Sequence, residues 1–204
     1  MAYEMTERSE PYSGLSRLFH WGVALLIFGM IPAGVIMVQE GLPRSLQNTL
    51  FIFHKNVGVI VLGLMLARLA WRFLRPPPAL PVTIPAWQRW AAGASHTALY
   101  VLAIAVPVAG YVRVRAGGFP IEWLDAMGAP TLVPKSEALA EAAKAAHYYG
   151  GLLLAAVIAV HIGAALYHGL IRKDGIVSRI WPPVGRSAAH KTQARKTQAH
   201  KTQG

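Results

Sequence analysis

Three histidines on one apolar stretch set the chemical question. The run HYYGGLLLAAVIAVHIGAALYH, residues 147–168, holds His147, His161 and His168, with tyrosine as its only other ionisable side chain. A span long enough to cross a bilayer makes every ionisable side chain costly, so each histidine is read as functional. His147 and His161 are 14 residues apart. On a helix that is about 3.9 turns and roughly 21 Å of rise. They face nearly the same way, one toward each side of a hydrocarbon layer about 30 Å thick. His168 follows seven residues later, within about 20° of the same stripe. One helix thus offers imidazole ligands at two depths.

Holding such ligands takes long apolar helices, and the composition supplies four. The chain has 204 residues, 54% hydrophobic and 14% charged, against about 25% charged in soluble domains. No Asp or Glu lies between Gly41 and Ile121. A formal charge of +11 and a pI of about 10.4 invite a nucleic-acid reading. The bases, however, gather at the ends of apolar runs, so the partner is a lipid bilayer and nucleic acid is excluded. The absence of cysteine removes disulfides and thiolate ligands.

Spans are predicted at about 18–38, 50–74, 95–114 and 146–171. Residues 1–16 read as a cytosolic lead-in rather than a removable signal peptide. Residues 17–186 form the four-helix transmembrane unit. Residues 187–204 are expected to be a disordered basic tail, built on AHKTQ-ARKTQ-AHKTQ at 189–203, with His190 and His200 solvated. RPPPALPVTIP, residues 75–85, is a stiff connector. Residues 115–135 form the longest loop, and Ser136-Glu137 marks a helix start. With both termini and the proline connector on one side, that side carries thirteen Lys or Arg against six on the other, which also holds five of the nine acids. The positive-inside rule then makes both termini cytosolic.

This topology sorts the histidines by depth. His54 and His147 fall in the outer half; His20, His96, His161 and His168 fall in the inner half. Two imidazoles from neighbouring helices at one depth are what a bis-histidine haem needs. Small residues stand one turn after the candidates: Gly58, Gly150, Gly151, Ala164 and Ala165. Zinc is disfavoured, since no carboxylate lies nearby and there is no HExxH run. Arg68, 14 residues after His54, and Arg17, one turn before His20, would suit haem propionates; snorkelling is the alternative for Arg68. Depth alone leaves open which inner histidines would ligate iron.

The residues RLFHW at 17–21, HKNVGVIVLGLMLARLAWR at 54–72, SHTALYVLAIAVPVAG at 95–110 and the 147–168 run together resemble the bacterial di-haem cytochrome b-561 family, in particular its four-helix superoxide oxidase type. The resemblance implies an all-α integral membrane four-helix bundle with two b-type haems in the bundle core, in the bacterial inner membrane. It implies an inner haem on His20 and His161, an outer haem on His54 and His147, and a ubiquinone site flanked by His96 and His168. On this reading superoxide gives electrons at the outer face and ubiquinone accepts them at the inner face. Lys55, Arg113 and Arg115 are the candidates for drawing the anion to the outer mouth. A second reading makes the chain a cytochrome subunit fed by a partner dehydrogenase or hydrogenase. A third, a transporter or anchor without haem, is opposed by the lack of membrane carboxylates.

Overall fold

The computed structural model describes residues 10–81 and 83–181, so the expectations for the basic tail and for most of the N-terminal lead-in lie outside the described residues. Within them every regular element is helical. The long helices are α1 (Gly14–Ile36), α2 (Arg44–Leu74), α3 (Ala86–Ala116) and α5 (Glu137–Leu166), with the short α4 (Glu122–Ala126) before α5. The fourth span continues from α5 through a π-helical turn, Tyr167–Arg172, and a 3-10 turn follows at Val177–Arg179.

Local chemistry explains the boundaries. Ser13 starts α1, its hydroxyl accepting the Ser16 amide at 3.2 Å. Ser136 starts α5 in the same way, accepting the Leu139 amide at 3.3 Å, which satisfies one of the orphan donors of a first turn. Pro43 and Pro85 precede α2 and α3, and the prolines from Pro76 onward keep α2 from continuing. All four long helices are apolar and long enough to cross a membrane. They overrun the predicted spans at the amino-terminal end: α3 begins at Ala86 rather than near Ser95, and α2 at Arg44 rather than Leu50. The extra turns carry Trp87, Gln88, Arg89 and Trp90, residues suited to the membrane interface, which apolar-run counting leaves out.

The helices pack in the order α1–α2–α3–α5. Val23, Val57, Val61, Met65, Ala103 and Leu154 form the buried core, with Leu99, Tyr100 and Ile158 against it. Most large apolar side chains point outward, Leu25 being 75% and Val160 68% exposed. Only a hydrocarbon solvent makes that arrangement favourable.

Each end of the bundle is closed differently. At one end Arg179, 2% exposed, donates from Nε to the Glu10 carbonyl at 3.1 Å and from Nη2 to the Pro78 and Ala79 carbonyls at 2.6 and 3.0 Å. Its own carbonyl accepts the Tyr12 amide at 3.0 Å, and its guanidinium stands 5.5 Å from the Tyr12 ring centre. The N-terminal lead-in, the proline connector and the segment after α5 therefore share one face, called here the clasp face. The opposite, or cap, face is covered by α4 and its flanking loops.

Candidate functional site

Near the cap face, the histidines of α2 and α5 meet. The rings of His54 and His147 have centres 5.9 Å apart and planes at 81°. Each lies ten residues into its helix and rests on the backbone of the preceding one in the chain's packing order. A Cβ placed on Gly34 of α1 would come within 2.9 Å of His54 Cε1, and one on Gly110 of α3 within 2.9 Å of His147 Nδ1. Four residues before the glycine, the Val106 carbonyl stands 2.8 Å from His147 Nδ1, whereas at the matching place the Met30 carbonyl makes no hydrogen bond to His54 Nδ1, which is buried without a partner. Pro32 and Pro107 fall between carbonyl and glycine. A carbonyl can only accept, so His147 carries its proton on Nδ1 and keeps the Nε2 lone pair for a ligand.

Near the clasp face three imidazoles gather around α5. His161 has His20 of α1 at 6.3 Å and His96 of α3 at 5.5 Å between ring centres, both edge-on. Arg68 of α2 bridges the group, donating from Nε to the Tyr100 hydroxyl at 3.1 Å and from Nη2 to His20 Nδ1 at 3.2 Å. Its guanidinium, and that of Arg72, each stand 5.4 Å from the Tyr100 ring centre. Because arginine has no acceptor, His20 in this arrangement accepts at Nδ1, the reverse of His147. Arg17 is buried one turn before His20, 5% exposed. His168, on the π-helical turn, bonds Asp174 at 2.5 Å. His96 and His168, paired in the sequence reading, thus have different neighbours.

Two of the three bases expected at the cap-face mouth are ion-paired. Lys55 Nζ bonds Glu122 Oε1 at 2.5 Å and the Pro120 carbonyl at 2.7 Å. Asn56, 2% exposed, donates to Glu122 Oε2 at 2.8 Å and accepts the Trp123 amide at 2.9 Å. Arg115 bonds Asp125 at 2.6 Å, whose other oxygen accepts the Ile121 amide at 3.1 Å. Burial would raise the Glu122 carboxyl, but Lys55 and the amide donors hold it below its ordinary range. Asp125 is held low chiefly by the hydrogen bond from Arg115. Arg113 has no carboxylate partner among the described residues, and its charge acts on both His54 and His147.

The chain as a whole is similar to known proteins. The family described as prokaryotic cytochrome b561 matches residues 11–183. The chain belongs to that family. Among curated relatives it is 29% identical to cytochrome b561 homolog 2 of Escherichia coli (strain K12), over 90% of this chain and 96% of the relative. It is 30% identical to cytochrome b561 homolog 1 of the same organism, over 80% and 92%. It is 31% identical to a protein of Yersinia pestis named probable superoxide oxidase CybB, over 85% and 97%. Membership makes this a multi-pass bacterial membrane protein of electron transfer, and it implies b-type haem.

Whether this cytochrome b561 chain fits haem can be asked of the imidazoles themselves. Two imidazoles that would share one iron must stand roughly 6 Å apart between ring centres; His54–His147 at 5.9 Å agrees with that, and at the clasp face both His20 at 6.3 Å and His96 at 5.5 Å stand at such a distance from His161. The backbone glycine under each cap-face imidazole and the free Nε2 of His147 fit as well. On the clasp face the spacing fits, while ligation by His20 through Nε2 requires Arg68 to release Nδ1. Gly34 and Gly110 were missed by the sequence reading, which looked for small residues on the ligands' own helices. Asp174 was missed because it lies beyond the apolar run; its signal is an acid six residues after His168, just past the end of the helix.

Proposed function

We propose that this cytochrome b561 chain oxidises superoxide at its cap face and reduces ubiquinone at its clasp face. The carrying observation is the arrangement of α5, which brings His147 to His54 near one face and His161 to His20 near the other, with His168 hydrogen-bonded at the rim. His54 with His147, and His20 with His161, would each hold one haem b, and these groups when bound supply two one-electron stations across the bilayer. Arg68 and Arg17 would take the propionates; Arg68, once it releases His20, offers a guanidinium fork to a carboxylate. His96 and His168 would contact ubiquinone.

The chain's own residues do the remaining work. Arg113 draws the anion, since Lys55 and Arg115 are occupied by Glu122 and Asp125. Two superoxide anions each lose one electron and leave as dioxygen, while one ubiquinone gains two electrons and two protons and leaves as the quinol. The clasp face, with Arg72, Arg75, Arg89, Arg172 and Lys173 near it, is the cytosolic one by charge. It supplies the protons. The bacterial inner membrane is the site of both half-reactions. The resemblance to the relative named probable superoxide oxidase supports this choice of donor.

The neutralised mouth bases favour one competing reading, in which a docked redox protein is the electron donor. Purified protein in nanodiscs, given a steady source of superoxide and ubiquinone-1, separates the two. Formation of quinol that falls roughly tenfold or more in Arg113→Ala supports the proposal. No quinol from superoxide, with rapid haem reduction by a co-purifying dehydrogenase, would replace superoxide by that partner.

A further inference from the structure

Asp174 is an acid where helix physics gives it no reason to be. It follows the carboxyl end of the fourth span, facing the negative pole of the helix, where a negative charge is unfavourable by about 0.3–1 kcal/mol. The backbone nonetheless folds back to hold it there. The span widens into a π-helical turn at Tyr167–Arg172, Lys173 takes the left-handed conformation at φ 51° and ψ 37°, and Gly175 follows at φ +81°. Left-handed backbone at a lysine costs free energy and persists only where the surroundings enforce it. Gly169 lets the returning segment come close, since a Cβ there would stand 3.3 Å from Val177 Cγ2.

The result is a carboxylate with both oxygens committed. Asp174 Oδ1 accepts the Ile176 amide at 3.3 Å, and Oδ2 lies 2.5 Å from His168 Nδ1. The two side chains are 15% and 18% exposed, so the pair is sheltered yet open to the clasp-face rim. Tyr167 packs edge-on to the imidazole, ring centres 5.5 Å apart.

We infer that Asp174 is the positioning residue for His168, fixing its proton on Nδ1 and turning Nε2 toward the quinone as the proton donor. This rests on the ubiquinone reading above. With His168 as imidazolium, the Nε2–H bond breaks and a quinone oxygen–hydrogen bond forms, while the electrons come from the reduced protein. The ring is left neutral, keeping its Nδ1 proton and donating it in a hydrogen bond to the Asp174 carboxylate, and water at the clasp face returns a proton to Nε2. Asp174 itself stays ionised throughout, as the orienting carboxylate does in an Asp-His pair.

The test uses full-length, haem-loaded protein in nanodiscs, reduced with dithionite so that superoxide plays no part. Re-oxidation on mixing with ubiquinone-1 is followed by haem absorbance. Asp174→Asn and Asp174→Ala should lower the maximal rate roughly tenfold or more, with KM for quinone and haem content little changed, and Asp174→Glu should restore most of it. In 15N-histidine spectra of the reduced state, with His168 assigned by its loss in His168→Gln, the Nδ1–H form should give way to Nε2–H in Asp174→Asn. Variant rates within about twofold of wild type, or an unchanged tautomer, overturn the inference. If Asp174→Ala does not accumulate, Asp174→Asn decides alone. Wild-type protein whose reduced haems ubiquinone does not re-oxidise overturns the quinone reading, and this inference with it.

Discussion

At Gly34 and Gly110 the missing side chain is what admits an imidazole. Any Cβ there would sit 2.9 Å from a ring atom, closer than packed atoms tolerate, and the ring must move because the other party is backbone. Gly34→Ala and Gly110→Ala are therefore expected to displace His54 and His147 respectively and to reduce bound haem to about half, with an overpacking cost of about 1–3 kcal/mol. Haem per chain, measured by reduced-minus-oxidised absorbance against protein, checks this. Gly63→Ala is the control, since nothing lies within 4 Å of its Cβ position. The histidines themselves were legible in the sequence because an ionisable group in an apolar run stands out. Their glycine supports were not: a glycine on one helix opposing a histidine on another leaves no local pattern, and membrane helices carry many glycines. Gly58 meets only Met30, 3.6 Å from its Cβ position, and Gly151 nothing within 4 Å, although both stand one turn after a candidate ligand.

Among the elements, α4 is held most plainly by charge. A five-residue helix has too few internal bonds to stand alone, and it is fixed to α2 by Lys55 and Asn56 and to α3 by Arg115. Both acids titrate below their ordinary values, so their contribution is complete above the unfolded carboxylate range and disappears as pH falls through the lowered folded values. The cap is accordingly expected to stay in place at neutral pH and to loosen below about pH 4. The 15N amide shift of Trp123, whose N–H is donated to Asn56, reports the change, and Glu122→Gln should loosen it already at pH 7. A transition centred above about pH 5 would mean that these bases do not hold the acids. Sequence reading took Lys55 and Arg115 for parts of an anion mouth, because Lys55 and its partner Glu122, 67 residues apart, cannot be matched without the fold. The four long helices were legible, since apolar length survives any packing. Their starts were not, because interfacial turns rich in tryptophan and arginine do not resemble hydrocarbon.

The whole molecule is tied at the clasp face by one buried side chain. Arg179→Ala would strand the carbonyls of Glu10, Pro78 and Ala79, and hydrogen bonds from a charged group contribute about 1.5–3 kcal/mol. The thermal midpoint of purified protein should fall, and the segment after α5 should become accessible to protease, with haem absorbance retained at low temperature. Lost haem with an unchanged midpoint would assign Arg179 to the redox site instead.

The clasp also has a place in time. The carbonyls of Glu10, Pro78 and Ala79 emerge from the ribosome long before Arg179 is made, so three spans are threaded into the bilayer while that rim is still unfastened. The last helix to arrive carries His147 and His161 to the imidazoles they face and, just beyond them, the residue that draws the rim shut. A chain cut short before residue 179 would keep its paired imidazoles and lose this fastening.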